Sequence, residues 1–314
     1  MKFVDNIKNW KHDIVKNVKY YLIAPIAIIV FGLIMLIAQG INLGIDFTGG
    51  TAVSVQFGES IQDAKVYDQR VDEIEDVMRE FGLTLAMDQR MGEGNTAKIQ
   101  VRYQNIAGKS DEEMIAITED FVKALEDKYP DNIVENNNRI SASASAALLL
   151  NALLAVSIAI VLIVIYLAIR FKNFLYGICS IISLLHDVLI MVAFMLIFNL
   201  EVNSTFIAAL ITIIGYSINN NVVIFDRIRE NLKLMPGEEI NKITNASVMQ
   251  SMTRTIFTTL TTFVVIFALL FVGIGGITDF VLPIVIGLAA SFYSSVFVSS
   301  PLWAVFNKKK INKD

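Results

Sequence analysis

The sequence is poor in the residues that build metal centres and disulfide frameworks. It contains one cysteine, Cys179, and two histidines, His12 and His186, among 314 residues. A single cysteine cannot close an intrachain disulfide, and so few sulfur and imidazole ligands cannot form a zinc site of the usual kind. The net charge of −4 argues against nucleic-acid binding. We therefore expect no metal, no other cofactor and no nucleic-acid partner.

Charge is scarce as well, because only 18% of the residues are charged whereas 54% are apolar. The apolar residues are concentrated in six stretches with almost no charge. A helix of about 20 residues crosses a hydrocarbon core of roughly 30 Å, and each stretch is near or above that length. The sequence therefore predicts a polytopic α-helical membrane protein with six transmembrane helices. The predicted helices are 20–38, 144–169, 174–198, 204–225, 256–277 and 280–306.

Lysine and arginine lie on one side of these predicted helices. The segments that contain them are the leader 1–19, the loop 170–173, the predicted loop 226–255 and the basic tail 307–314. The short loops 199–203 and 273–279 contain none. The positive-inside rule therefore predicts that both termini are cytoplasmic.

The leader has apolar residues at helical spacing between its lysines, which favours an amphipathic helix on the inner membrane surface. A disordered basic leader that only fixes the topology is the alternative. The first apolar stretch is longer than the core of a signal peptide, so we expect it to remain as a membrane helix.

The region 39–142 is polar and has 20 acidic and 10 basic residues. The same rule places it outside the cytoplasm. Its periodicity changes in the order β-α-β-β-α-β, which is typical of a ferredoxin-like α+β domain. The predicted strands are 51–57, 84–90, 97–103 and 132–140, and the predicted helices are 61–81 and 111–129.

Gly108-Lys109-Ser110, before the second of these helices, suggests a phosphate-binding loop. The first glycine of that motif is absent, because position 103 is Tyr103. Ser110 and Glu113 instead match a capping box, so we predict a helix cap at this position.

Polar residues inside the predicted membrane helices are candidate functional residues, because a carboxylate in a bilayer costs several kcal/mol unless it faces protein or water. Asp187 lies in the third predicted helix beside His186, and Asn219, Asn220 and Asn221 end the fourth. Three consecutive residues cover about 200° of a helix, so at least one asparagine must meet another helix. Two structural alternatives remain: His186 or a hydroxyl satisfies Asp187, and the asparagines only link helices.

Further polar groups lie at the inner ends of the fourth and fifth predicted helices. Asp226, Arg227 and Arg229 follow the fourth and suggest a salt-bridged helix end. Arg254 precedes the fifth, and threonines between 255 and 262 continue from it as a row of hydroxyl groups.

The last predicted helix has Gly287, Ser291, Ser295 and Ser299 at four-residue spacing. Small residues at this spacing allow close approach of a second helix. Helix packing without ion transport is the simpler interpretation of this face.

Residues 43–51, Leu-Gly-Ile-Asp-Phe-Thr-Gly-Gly-Thr, follow the first predicted helix. Asp46, Gly49 and Gly50 suggest a site of close backbone approach at the start of the first strand. An ordinary glycine-rich turn is the alternative.

Two functional classes fit these features, a transporter or translocation subunit and an intramembrane hydrolase. A hydrolase needs a nucleophile with a base, or two aspartates. Asp187 and His186 are adjacent and project about 100° apart on a helix, and neither GxSxG nor HExxH occurs. We therefore predict a transport or translocation protein that is not an enzyme.

Several segments resemble the SecF proteins of bacterial protein export, within the SecD/SecF family of the resistance–nodulation–division superfamily. The segments are LGIDFTGGT at 43–51, LLHDV at 184–188, TIIGYSIN at 212–219, VVIFDRIREN at 222–231, Thr253-Arg254-Thr255, YSSVF at 293–297 and Ser300-Pro301. The resemblance extends from the first predicted helix to Pro301.

The resemblance implies an auxiliary subunit that acts with SecD in the bacterial cytoplasmic membrane. Its further partners would be the SecYEG channel with SecA and YajC, the preprotein in transit and membrane lipid. The pair would help complete translocation with the ion-motive force. A small-molecule or lipid exporter of the same superfamily is the alternative.

The resemblance also assigns residues to an ion path, namely His186, Asp187, Asn219, Asn220 and Arg254. At 219–221 the family usually has Asn-Asp-Thr, so Asn220 replaces the carboxylate to which ion coupling is attributed.

Overall fold

The computed structural model describes residues 13–92, 94–171, 173–269 and 277–311. In chain order the elements are α1 Val18–Gln39, α2 Ile45–Thr48, β1 Gly50–Gln56, α3 Ala64–Glu80, β2 Leu85–Met91, β3 Lys98–Gln104, α4 Asp111–Lys128, β4 Val134–Ile140, α5 Ala142–Arg170, α6 Phe174–Ile197, α7 Ser204–Leu234, α8 Ile240–Ala268, α9 Ile277–Tyr293 and α10 Ser300–Ile311. Within the described residues, six helical segments are long and apolar enough to cross a membrane. They are α1, α5, α6, α7, α8 and the α9–α10 segment, and they confirm the predicted number.

The α+β domain between α1 and α5 is built on a four-stranded antiparallel sheet in the order β2-β3-β1-β4. This arrangement confirms the predicted ferredoxin-like order of elements. Alternate strand residues such as Val53 and Val101 are fully buried against Ile74 of α3 and Phe121 of α4. The hydrophobic core of the domain therefore lies on one face of the sheet.

The predicted cap of α4 is confirmed. Ser110 Oγ accepts a hydrogen bond from Glu113 N at 3.2 Å, and Glu113 Oε2 accepts one from Ser110 N at 2.8 Å. Each side chain thus satisfies a backbone donor that the first turn leaves free.

The prediction that 226–255 is a loop is wrong. α7 continues to Leu234 and α8 begins at Ile240, so only the turn 235–239 connects them. Ile228 and Val248 are buried in this extension. The error arises because low charge marks the part of a helix that lies in lipid, whereas two helices that pack together continue beyond it.

The last two predicted helices also have different bounds. α8 ends at Ala268 and not at 277, and residues 270–276 lie outside the described residues. The helix predicted to end at 306 continues through Ile311 into the predicted basic tail.

A π-helical segment, Ser294–Ser299, separates α9 from α10. Pro301 follows it, and in an α-helix its ring would clash with the Phe297 carbonyl, to which it has no N–H to donate. The wider π turn relieves this clash, and Ser300 Oγ donates to Ser295 O at 2.7 Å. The π segment interrupts the four-residue period of the predicted small-residue face, although all its members are buried.

α1 is held to the bundle by a glycine contact and by a tyrosine. Gly32 lies against Ala193 of α6, where an added Cβ would come within 2.6 Å of the alanine side chain. Pro25 lacks the N–H that would bond the Tyr21 carbonyl, and the Tyr293 hydroxyl donates to that carbonyl at 2.6 Å instead.

Residues 1–12 of the predicted leader lie outside the described residues. The part that follows is bound to α8, because Asn245 Oδ1 accepts from Ile14 N at 3.1 Å and Asn245 Nδ2 donates to Asp13 Oδ1 at 2.7 Å. The amphipathic character of the leader stays a prediction.

Candidate functional site

Asp187 lies on α6 in the middle of the bundle and is fully buried. Ser217 of α7 donates to its Oδ2 at 2.5 Å, and His186 Nδ1 lies 2.9 Å from its Oδ1. Both carboxylate oxygens therefore have a partner. The structural alternative required that His186 or a hydroxyl satisfy Asp187, and both kinds of group contact it.

His186 contacts Asp187 through its Nδ1, although the two positions differ by about 100° around the helix. Its ring is stacked on Tyr293 with 6.2 Å between ring centroids. Its Nε2 is buried and has no hydrogen-bond partner within the described residues.

This arrangement does not form a nucleophile with a base. Asp187 stands between Ser217 and His186, so it accepts the Ser217 proton in a hydrogen bond and separates that hydroxyl from the imidazole. A hydrolytic triad needs the imidazole to contact the serine directly.

The three asparagines of α7 divide between its two faces. Asn220 and Asn221 are 1% exposed, whereas Asn219 is exposed. Asn220 Nδ2 donates to Ser291 Oγ of α9 at 3.3 Å, and Asn221 Nδ2 donates to Ser217 O at 3.3 Å. The expectation that one asparagine meets another helix is confirmed by Asn220.

Serines of the last span complete the polar interior. Ser183 of α6 donates to Ser294 Oγ at 2.8 Å, and Ser294 Oγ contacts Ser291 O at 3.3 Å. Polar contacts thus connect α6, α7 and the π segment. Sequence reasoning did not select Ser217 or Ser294, although the helical period places Ser217 one turn before Asn221.

Arg254 is exposed on α8, and its guanidinium forms no ion pair or hydrogen bond within the described residues. The threonines that follow mostly satisfy themselves on their own helix. Thr258 donates to Arg254 O at 2.9 Å, and Thr262 donates to Thr258 O at 3.0 Å. Thr259 differs, because it accepts from Tyr216 OH of α7 at 3.1 Å.

The C-terminal part of α7 contains the charged group that the sequence suggested. Asp226 contacts Arg229 at 3.4 Å and also pairs with Arg170 of α5. Arg227 pairs with Glu230 one turn further along. Arg170 was not predicted as a partner, because nothing in a sequence places α5 beside α7.

The glycine segment 43–51 forms a one-turn helix, α2, and the start of β1. Asp46 Oδ2 accepts from Ser204 N at 2.9 Å and also from the Ser204 hydroxyl, so it caps the first turn of α7. Gly49 has φ +75°, and a Cβ at Gly50 would overlap the Tyr103 carbonyl oxygen. These two positions therefore require glycine, and the segment is more than an ordinary turn.

The segment before α2 is paired with the loop between α6 and α7. Gly44 N donates to Val202 O at 3.0 Å, and Val202 N donates to Asn42 O at 2.8 Å. Glu201 in the same loop forms an ion pair with Arg102 of β3 at 3.0 Å. Burial and the nearby acidic side chains raise the pKa of Glu201, although Arg102 opposes this shift.

Six membrane-crossing helices, a buried polar cluster inside them and an α+β domain after the first helix define a polytopic membrane protein of the transport class. Within the described residues no group of three or more His, Cys, Asp or Glu side chains could hold a metal ion.

The comparisons with known proteins identify the family. Residues 120–309 match the C-terminal part of the protein export membrane proteins SecD/SecF, and residues 34–61 match the SecD/SecF GG motif. This chain belongs to the SecD/SecF family of protein export membrane proteins. The predicted resemblance is therefore confirmed.

Relatives with known names are similar over almost the whole chain. The protein translocase subunit SecF of Petrotoga mobilis is 31% identical over 96% of this chain and 98% of its own length. The SecDF of Bacillus subtilis is 36% identical over 97% of this chain, which spans only 39% of that relative.

Solved structures give the same result. A crystal structure of Thermus thermophilus SecDF, described as a translocon-associated membrane protein, is 28% identical over 96% of this chain and 39% of its own, with a TM-score of 0.76. SecDF in a super-membrane-facing form has a TM-score of 0.63. The protein is accordingly an auxiliary component of Sec-dependent protein translocation, and these names give no support to the alternative of a small-molecule exporter.

Proposed function

We propose that this chain forms the SecF half of a SecD–SecF pair that docks on the SecYEG channel and helps preproteins complete translocation with the ion-motive force. The relatives named SecDF support the pairing, because this chain spans only 39% of them. SecD would then supply the part of these relatives that this chain does not span. SecA and YajC would belong to the same assembly, within membrane lipid.

The observation that carries this proposal is a polar face of α7 that the described residues leave uncovered. Thr212, Gly215 and Asn219 are exposed on this membrane-crossing helix, and a Cβ at Gly215 would meet nothing within 4 Å. Hydrocarbon offers an amide no hydrogen-bond partner, whereas a second helix can approach small residues closely and bond to the amide. A helix of SecD is therefore the expected cover.

α8 supports the same interpretation. It is bonded to α7 through Tyr216 and Thr259, and it presents Arg254 and Thr261 outwards. An arginine near the hydrocarbon is costly unless it reaches the interface or meets a partner. A carboxylate of SecD facing Arg254 would provide one.

The ion path is proposed to include Asp187, His186 and Arg254, with Asn219 and Asn220 as uncharged polar members. Asn220 cannot change its charge, because an amide side chain does not titrate. SecD is therefore proposed to carry the titrating group at this depth, and Asp187 is the remaining carboxylate in the centre of the described bundle.

The proposed orientation places residues 39–142 outside and both termini in the cytoplasm. The lysines and arginines that flank the loop 171–173 and the turn 235–239 support it. With Cys179 replaced, a cysteine introduced at Ser110 should react with an impermeant thiol reagent in intact cells. Reaction only after permeabilisation would reverse the orientation.

The pairing is tested by introducing bulk on the uncovered face. We expect Asn219→Leu to reduce co-purification of SecD from native membranes, because it removes the amide and blocks close approach. Ala155→Leu is the matched control, since Ala155 is exposed on α5 in apolar surroundings. Equal recovery of SecD with both variants, or recovery of the wild-type chain without any Sec component, would contradict the proposal.

A further inference from the structure

One ion pair connects the α+β domain to the membrane bundle at close range. Val101 and Tyr103 of β3 point into the domain core, so Arg102 between them lies on the opposite face of the sheet. Its Nη1 lies 3.2 Å from Oε1 and 3.0 Å from Oε2 of Glu201, in the loop between α6 and α7. The contact therefore links the sheet of the α+β domain to the loop between two helices of the bundle.

The sheet holds the guanidinium in place before it meets the bundle. Arg102 Nε donates to Gln100 Oε1 at 3.1 Å, and Nη2 donates to Gln89 Oε1 at 3.2 Å. The remaining nitrogen, Nη1, is directed to the loop. Because these two hydrogen bonds already fix the guanidinium, the Arg102 side chain loses little further freedom when it binds the carboxylate.

A second carboxylate lies beside the same arginine. Asp279, in the first turn of α9, has its Oδ2 3.8 Å from Arg102 Nη1. The side chains of Arg102 and Asp279 are 15% exposed, and that of Glu201 is 6% exposed. Two sheltered carboxylates thus share one cation, and one added proton would relieve their repulsion.

The charged groups around Glu201 come from three elements. Arg102 of β3 attracts it, whereas Asp279 of α9 and Asp46 of α2 repel it. Burial has the largest influence and raises the pKa of Glu201, and the two carboxylates add to this shift despite the arginine. When the domain separates from the loop, water would surround this carboxyl and its pKa would return towards the ordinary value.

The backbone at Gly44 lies next to the ion pair and leaves space for the Glu201 carboxylate. A Cβ at Gly44 would overlap the Glu201 carboxylate, and the Gly44 N–H is bonded to Val202 O. The glycine therefore lets the chain entering the domain lie directly against the loop that carries Glu201.

We propose that Arg102, Glu201 and Asp279 are positioning residues that hold the α+β domain against the bundle, and that this joint binds one proton when it closes. No bond other than the O–H bond of one carboxyl forms in this step, and the proton comes from water. The inference concerns the domain of this chain alone and does not depend on the proposed ion path.

The direction of the pH dependence follows from the charges. The closed joint binds the proton more tightly than the open one, so acid favours the closed form and rising pH favours the open form. While one proton is released, the ratio of open to closed molecules should rise by up to about tenfold per pH unit.

The test measures the distance between the domain and the bundle in the full chain in lipid nanodiscs. Spin labels are placed on cysteines at Glu119 of α4 and at Ile37 of α1, both of which are exposed, with Cys179 replaced by alanine. In the wild type, the distance distribution should be narrow at about pH 5 and should broaden at about pH 8.

Three variants separate the two parts of the proposal. Arg102→Gln should broaden the distribution, most strongly at high pH, because the carboxylates lose their cation. Glu201→Gln should remain narrow at both pH values, since its amide oxygen still accepts from Arg102 and it carries no charge. Lys98→Gln is the matched control, because Lys98 pairs with Glu135 inside the sheet at 2.7 Å, and its distribution should equal that of the wild type.

Two results would overturn the proposal. If Arg102→Gln gives the wild-type distribution at both pH values, the ion pair does not position the domain. If the wild type shows no change with pH, or Glu201→Gln keeps the same change, the joint does not take up a proton.

Discussion

Two buried acidic groups in the described part of the chain are satisfied in different ways. Asp187 in the bundle accepts a hydrogen bond from Ser217 on one oxygen and contacts His186 with the other. At the joint, Glu201 and Asp279 share the guanidinium of Arg102. Asp187 is held by hydrogen bonds inside the packed bundle. Glu201 and Asp279 hold the α+β domain against the bundle through the charge of Arg102.

This difference predicts what each group tolerates. A hydrogen-bonded carboxylate can be replaced by an amide of the same shape with little structural cost, because donors remain for its oxygen. The shared ion pair responds to any change in its total charge, because it already has two carboxylates for one guanidinium. We therefore expect changes in the bundle to alter function more than structure, and changes at the joint to alter both.

The largest expected effect concerns the backbone fit at the domain entrance. A Cβ at Gly50 would overlap the Tyr103 carbonyl oxygen and come within 2.7 Å of Ile45. Gly50→Ala should lower the free energy of unfolding of the domain by about 3 kcal/mol, because backbone atoms must shift.

Gly82→Ala is the matched control for this prediction. Gly82 has φ +70° but open space around it, so only backbone strain of about 1 kcal/mol is expected. Thermal unfolding of both purified variants gives the comparison. Equal destabilisation would show that close approach at Gly50 is not what requires the glycine.

An intermediate effect is expected at Asp187. Asp187→Asn should leave the complex with SecD assembled, yet it should reduce gradient-dependent export, because an amide cannot exchange a proton. Asp187→Leu should also weaken packing by about 1–2 kcal/mol, since Ser217 and His186 lose their partner.

Export in cells with and without an ionophore measures the first effect, and recovery of the complex in detergent measures the second. Ser180→Ala is the control on the same buried face of α6, because the Ser180 hydroxyl donates to Tyr176 O of its own helix. If Asp187→Asn leaves the ionophore-sensitive part of export unchanged, Asp187 has a structural role alone.

Patterns with a local cause were predictable from the sequence. The alternation of strands, the cap at Ser110 and the six apolar stretches depend on residues close in the chain, and the structure agrees with each. The π segment before Pro301 was not predictable in this way, because Pro25 and Pro283 lie inside α-helices without such a segment.

Features that depend on distant residues were not predictable. Arg102 and Glu201 are 99 positions apart, and neither has a sequence signature that names the other. The extension of α7 and α8 was missed for a related reason, since the packing of one helix on the other replaces lipid as the apolar environment. Asp187 was found because a carboxylate in an apolar stretch is unusual by itself.

The smallest effect is expected at Asn220, although the resemblance to SecF implies a carboxylate at this position. Its amide donates to Ser291 Oγ at 3.3 Å, and a hydrogen bond between membrane helices contributes on average about 0.6 kcal/mol. Asn220→Ala should therefore weaken the packing of α7 on α9 slightly and leave gradient-dependent export largely intact.

Asn220→Asp sharpens this prediction, because it introduces the carboxylate that the resemblance implies. In this chain the new acid would face Ser291, whereas Arg254 is exposed on α8 and has no acidic partner within the described residues. A hydroxyl can donate one hydrogen bond but cannot neutralise the charge, so Asn220→Asp should be tolerated only if Arg254 reaches it. Export of Asn220→Asp, alone and with Arg254→Gln, decides this point. If Asn220→Ala itself abolishes ionophore-sensitive export while the complex stays assembled, the amide belongs to the ion path, and the distinction between a titrating Asp187 and a passive Asn220 fails.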